Sequence, residues 1–180
     1  MKSSRIILWL RNDLRMHDNY VFNKAMSVAG DKQILPVFCF DPRTYGQEAK
    51  TEFDTIKTGL VRSRFQIQAV KELRKSLQKI GSNLVVTKEK PEEFIPKLLA
   101  ADANVNNIIV YQQEICSEEL TVDAALKKAL EKAAKADAKL KSTIETVWGS
   151  TLHHIDDFTY NPYQKLAENY TGFMRNQNGV

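Results

Sequence analysis

Short apolar runs alternating with longer amphipathic stretches predict an α/β domain, a doubly wound five-stranded parallel sheet with helices on both faces. Two observations point to this class rather than to an antiparallel one. Four of the five strand candidates are near-continuous apolar runs, as expected when both faces of a sheet are covered. The runs are also spaced for crossover helices, which parallel neighbours require. A length of 180 residues with 43% apolar content suits one core of this size.

In order, the first strand spans Arg5 to Leu10 and runs into a charged loop that closes on an Asp18-Asn19 helix cap. The second spans Gln33 to Phe40. A long helix follows, with Ile67, Val70, Leu73, Leu77 and Ile80 at core spacing, a lysine in its last turn and a stop at Gly81. The third strand, Asn83 to Thr87, precedes a helix over Pro91 to Ala100; Pro91 suits its first position, and two glutamates suit the dipole. The fourth strand is Asn107 to Tyr111. The alanine- and lysine-rich Ala124 to Ala138 reads as a solvated helix rather than a nucleic-acid patch. The fifth strand, Ser142 to Val147, carries Glu145 and reads as an edge. After His153 the period is lost. Phe158, Tyr160, Tyr163, Tyr170 and Phe173 are strung among polar residues, so this stretch is expected to need another surface.

A net charge of +4 and a pI near 9.0 allow an acidic partner, but a lysine-rich surface gives the same figures. Cys39 and Cys116 make neither a disulfide framework nor a metal pair; both are expected as buried thiols in a reducing compartment. Cytoplasm, nucleus, or an organelle after leader removal would fit. The first strand begins at Arg5, which leaves no room for a leader, and no apolar run approaches the ~20 residues of a membrane span. His17, His153 and His154 lack metal-ligand spacing, and Trp9 and Trp148 read as core. With 7 glycines there is no phosphate-cradling loop, and no nucleophile elbow. Hydrolytic and hydride chemistry lack their tools.

Ligands of open α/β sheets gather beyond the carboxyl ends of the strands. The loops there are Arg11 to Arg15, Asp41 to Tyr45, Lys88 to Pro91 and Gln112 to Glu118. Their residues carry a resemblance. Leu8-Trp9-Leu10-Arg11-Asn12-Asp13-Leu14-Arg15-Met16-His17-Asp18-Asn19 resembles the opening of the photolyase/cryptochrome family. Pro36 to Arg43, Lys57-Thr58-Gly59 with Arg62 and Phe65, Glu114 to Glu119, and Trp148 to Asp157 follow in the same order and resemble its DASH branch. The likeness spans residue 5 to about 175.

The resemblance implies a Rossmann-like sheet of order 3-2-1-4-5 over residues 1–150, with an interdomain linker or tail over 151–180. The family's flavin-binding helical domain, which carries FAD, the relay tryptophans and the DNA groove, is not in this sequence. The implied function is that of an antenna domain for methenyltetrahydrofolate in a DASH-type cryptochrome or photolyase. The full protein would use blue light to repair pyrimidine dimers, chiefly in single-stranded DNA, or would act as a photoreceptor. This chain alone is expected to be no enzyme. The other reading is a stand-alone binding module on the same fold, without photochemistry.

By the same resemblance, Glu114 would anchor the pterin with Gln113 beside it; a helix-capping glutamate is the alternative, although Ser117 reads as that helix's N-cap. Phe40, Asp41 and Arg43 would form a wall of the antenna cleft, or an ordinary Asp-Pro turn. Lys57 would face a folate carboxylate, or solvent. Arg11, Asp13 and Arg15 would tie the sheet to the helical domain, or pair with carboxylates at home. Without that partner, the exposed face is expected to be covered by the aromatic tail or by a second copy.

Overall fold

The computed structural model describes residues 4–161, 164 and 167–178. The chain divides into two compact units, Met1–Val147 and Trp148–Val180. The first runs β1 (Ser4–Leu10), α1 (Tyr20–Ala29), β2 (Gln33–Cys39), α2 (Leu60–Lys79), β3 (Val85–Thr87), α3 (Pro91–Ala100), β4 (Asn106–Gln112), α4 (Ser117–Ala136) and β5 (Ser142–Val147). These strands form one sheet of order β3-β2-β1-β4-β5, parallel throughout.

The unbroken apolar run of β1 has a direct cause. Ile6, Leu8 and Leu10 point into a core shared with Val21 and Ala25 of α1 and Val70, Leu73 and Leu77 of α2. The alternate residues Ile7 and Trp9 point into a second core with Ile95 and Leu99 of α3 and Leu126 and Leu130 of α4. Each buried isoleucine or leucine contributes about 1.5–3 kcal/mol. Pro36 is tolerated inside β2 because β3 pairs with β2 only from Val37 onward.

Local signals place the ends. Asn19 caps α1, its Oδ1 accepting from the N–H of Val21 at 2.9 Å and of Phe22 at 3.3 Å. Gly81, at φ +78°, closes α2; its N–H donates to the Gln78 carbonyl and that of Ser82 to the Leu77 carbonyl. The core stripe of α2 is narrower than its spacing predicts: Ile80 is the exposed cap residue, and Ile67 lies at the exposed margin. Strand β3 is shorter than the expected 83–87 stretch. The ladder stops because Pro36 has no N–H to donate beyond the Val37–Val85 pair; the Leu84 carbonyl, on the free edge, accepts from Arg74 Nη2 at 2.9 Å and Nε at 3.1 Å. Helix α4 starts seven residues before the alanine-rich stretch, and buries Leu126 and Leu130 rather than lying wholly in solvent. Glu145 on edge strand β5 meets Lys24 of α1 at 3.2 Å.

The second unit has local structure in the stretch where the sequence loses its period. A 3-10 turn at Ile155–Asp157 is capped by His154, and α5 spans Tyr170–Asn178. Phe158 packs its ring against those of His153, Tyr160 and Phe173 at 5.7–6.1 Å, so this stretch has an aromatic cluster of its own. Trp148 belongs to neither sheet core; its Nε1 donates to Thr151 Oγ1 at 2.7 Å. Tyr163 lies outside the described residues. Among the described residues no helix is long and apolar enough to cross a membrane.

Candidate functional site

Chain connections leave β1 and β4 in opposite directions, since β2 lies on one side of β1 and β5 on the far side of β4. A crevice therefore opens at their carboxyl ends. A cleft of about 680 Å³ occupies this end of the sheet. Trp9, Leu10, Phe38 and Cys39 supply its base, the start of α4 one wall, and the segment entering α2 another. Burial, first of all, pushes the Cys39 thiol up to about 12, so it serves as packing and not as a nucleophile.

Arg11 is held from below and from one side. Its guanidinium lies 4.6 Å from the Trp9 ring centre and bonds Asp123 of α4 at 2.6 Å. Burial pushes the Asp123 carboxyl upward, which Arg11 opposes without cancelling. Arg11 thus fastens α4 to the end of β1 inside the sheet unit. Asp13 and Arg15 pair with each other at 2.8 Å, and this bond to Arg15 holds the Asp13 carboxyl below its usual range.

Asp41 binds Arg43 at 2.5 Å, and Arg43 also reaches Glu92 of α3 at 2.8 Å. The Asp41 bond first, then burial against it and Glu92 with it, leaves the Arg43 guanidinium more firmly protonated than usual. Lys57 spans to Glu118 in the first turn of α4 at 2.6 Å, a link across the cleft. Thr58 is 5% exposed and lines the cleft, yet its hydroxyl has no partner among the described residues. Tyr45 and Arg62 also line it; burial raises the Tyr45 hydroxyl, and the nearby Arg62 charge opposes this.

Asp41, Arg43, Lys57 and Arg11 are therefore brought to one cleft, whereas Phe40, Gln113 and Glu114 are not among its lining. Phe40 packs edge-on to Phe38 at 4.9 Å and to Tyr45 at 5.3 Å. The Gln113 N–H donates to the Val147 carbonyl, extending the β4–β5 ladder. Glu114 is 7% exposed, directly behind the lining residue Asn12, whose Nδ2 donates to its Oε1 at 3.1 Å. Burial pushes the Glu114 carboxyl up, and Arg11 and Asn12 offset part of that. Ser117 is not the N-cap of α4. Cys116 occupies that position with no side-chain bond, and its thiol is exposed rather than buried.

Asn12, Glu118 and Asp123 were not distinguished by sequence from their neighbours. Asp123 had one readable signal, an acid falling on the same helical face as Leu126 and Leu130. Among the described residues no group of three His, Cys, Asp or Glu side chains could hold a metal ion.

The family model described as DNA photolyase matches residues 6–179. Cryptochrome DASH of Danio rerio is 38% identical over 176 residues, covering 97% of this chain and 32% of that protein. The Xenopus laevis protein of the same name is 39% identical over 94% of this chain and 30% of its own length. A Synechocystis cryptochrome crystal structure matches with a TM-score of 0.79 at 34% identity, covering 98% of this chain and 33% of that one. A photolyase from Sulfolobus tokodaii shares the fold, with a TM-score of 0.69 at 23% identity. The chain spans about a third of the length of the curated relatives it matches.

Proposed function

This chain belongs to the DNA photolyase family, and from that premise we propose that its sheet unit is the antenna domain of a DASH-type cryptochrome or photolyase and takes methenyltetrahydrofolate at the carboxyl ends of its strands. The observation that carries this reading is Glu114. A carboxylate buried to this degree is costly unless hydrogen bonds compensate it, and Asn12 supplies a single amide donor. A pterin presents a ring N–H and an amino N–H side by side, which match the two oxygens of a carboxylate. The residues present fit such a group. Asn12 and Glu114 would hold and orient the ring, with Gln113 alongside. Phe40 and Tyr45 would exclude water, and Asp41 would keep Arg43 aimed across the cleft. Lys57 would meet a folate carboxylate by exchanging it for Glu118. When bound, the pigment supplies light absorption and energy transfer. FAD, the helical domain and DNA would be partners of the full-length protein, and dimer repair or photoreception its activity.

The test is a titration of methenyltetrahydrofolate followed by absorbance. Glu114→Gln should weaken binding at least tenfold, about 1.4 kcal/mol, because the new amide donor faces the pterin amino group. Equal affinities would remove Glu114 from the site. Absence of binding both by this chain and by one extended through a helical domain would favour the stand-alone module.

A further inference from the structure

The amino-terminal end of α2 has features that the pterin reading does not use. Helix α2 is 20 residues long, its N-cap is Gly59, no side chain caps it, and its first turn holds no acid. The leading N–H groups of a helix have no partner within it, and the dipole there favours an anion. Natural helices usually meet this need with Ser, Thr, Asp or Asn. Here the residue before the cap, Thr58, carries a hydroxyl, and it does not perform that task. Thr58 lines the cleft, and its buried Oγ1 has no partner among the described residues, although an unsatisfied buried hydroxyl costs about 1–3 kcal/mol. The position is not loosely held. The Lys57 N–H donates to the carbonyl of buried Ala49 at 2.8 Å, and Lys50 and Ile56 form an antiparallel bridge, so the loop delivers Thr58 to one place.

One cation in the cleft is also unspent. Arg11, Arg43 and Lys57 each bind a carboxylate at 2.5–2.6 Å. Arg62, in the first turn of α2 and lining the same cleft, forms no ion pair among the described residues. A buried hydroxyl without a partner, a guanidinium without a carboxylate and an uncapped helix start thus share one rim.

We propose that Thr58, Arg62 and the start of α2 form an oxyanion subsite of the cleft, which grips a phosphate or carboxylate group on the ligand. A hydroxyl donor, a forked guanidinium and backbone N–H groups are the usual recognition set for such groups. The subsite stands apart from the Glu114 reading, because Glu114 is outside the cleft lining.

The experiment measures inorganic phosphate binding to the 180-residue chain by calorimetry and by phosphorus NMR line width, against chloride at equal ionic strength. Wild type should show saturable binding. Thr58→Val and Arg62→Gln should each weaken it by about tenfold, while Thr58→Ser retains it. Arg62 is exposed, so its variant tests the subsite without endangering the fold. In phosphate-free buffer Thr58→Val should melt no lower than wild type, because its hydroxyl has nothing to lose. No phosphate binding by wild type, unchanged binding in both variants, or a lowered melting point for Thr58→Val would each overturn the proposal. Methenyltetrahydrofolate distinguishes the sources: competition with phosphate assigns the subsite to its carboxylates, and independent binding assigns it to a phosphate-bearing ligand. Phosphate binding that survives Glu114→Gln would uphold the subsite even if the pterin reading fails.

Discussion

Arg11 and Arg15 lie four residues apart in one loop, each beside a carboxylate, yet the fold uses them in opposite ways. Arg11 and its partner Asp123 are 7% and 8% exposed, and the pair joins β1 to α4 across 112 positions of sequence. Arg15 is 63% exposed and pairs with Asp13 two residues away. The short-range pair adds no tertiary link, and water screens it. The long-range pair stands on the Trp9 ring in a nearly dry site, where removing one partner leaves the other charge uncompensated. Equal residue types in one loop thus carry unequal weight, and the difference is set by what lies behind each of them.

The largest effect should come from breaking the buried pair. Asp123→Ala strands the Arg11 guanidinium and should lower stability by about 3–5 kcal/mol, read by denaturant unfolding. Replacing Arg11 and Asp123 together by Met and Leu should recover most of that loss. If the double variant is as unstable as the single one, Arg11 has a role beyond this pair, and the interdomain assignment regains support.

Glu114 sharpens the comparison as a buried carboxylate without an arginine partner. Its folded carboxyl titrates above its unfolded one, so the folded state holds the proton more tightly. The stability it contributes is complete below the unfolded pKa and is lost as the pH rises through the folded pKa. At neutral pH the ligand-free protein therefore carries a burial penalty that Glu114→Gln lacks. The variant should melt higher at pH 7 and show a flatter dependence of melting temperature on pH across the carboxylate range. A lower melting temperature at pH 7 would mean that the ionised form has a structural duty.

The smallest effect belongs to the exposed pair. Arg15→Ala should leave the melting temperature at neutral pH unchanged within error. Asp13 is displaced the other way from Glu114, its carboxyl lowered mainly by the Arg15 bond. Whatever stability the pair adds is present above the unfolded carboxylate's titration and is lost as the pH falls through the folded value. A carbon-13 titration of the Asp13 carboxyl should therefore move up towards its ordinary range in Arg15→Ala, and an unmoved titration would assign the shift to another group.

What could be read from sequence was what local chemistry encodes. Five parallel strands, the Asn19 cap, the Pro91 start and the Gly81 stop follow from periods of 2 and 3.6 and from the backbone preferences of single residues. The resemblance correctly gave the family and the strand order. Three-dimensional packing decided the rest. Where β3 begins depended on which residue of β2 came to lie beside it, and Pro36 there has no N–H to carry the ladder past Val85. Lys57 met Glu118 and Arg11 met Asp123 because the fold brings the start of α4 beside the loops that carry them. Thr58 became a hydroxyl without a partner only when the cleft closed around it. An ion pair or an unsatisfied donor is a relation between groups far apart in the chain. The sequence determined which charges and hydroxyls this protein has, and the tertiary structure decided which of them meet, because only folding sets the distances and the loss of water on which those energies depend.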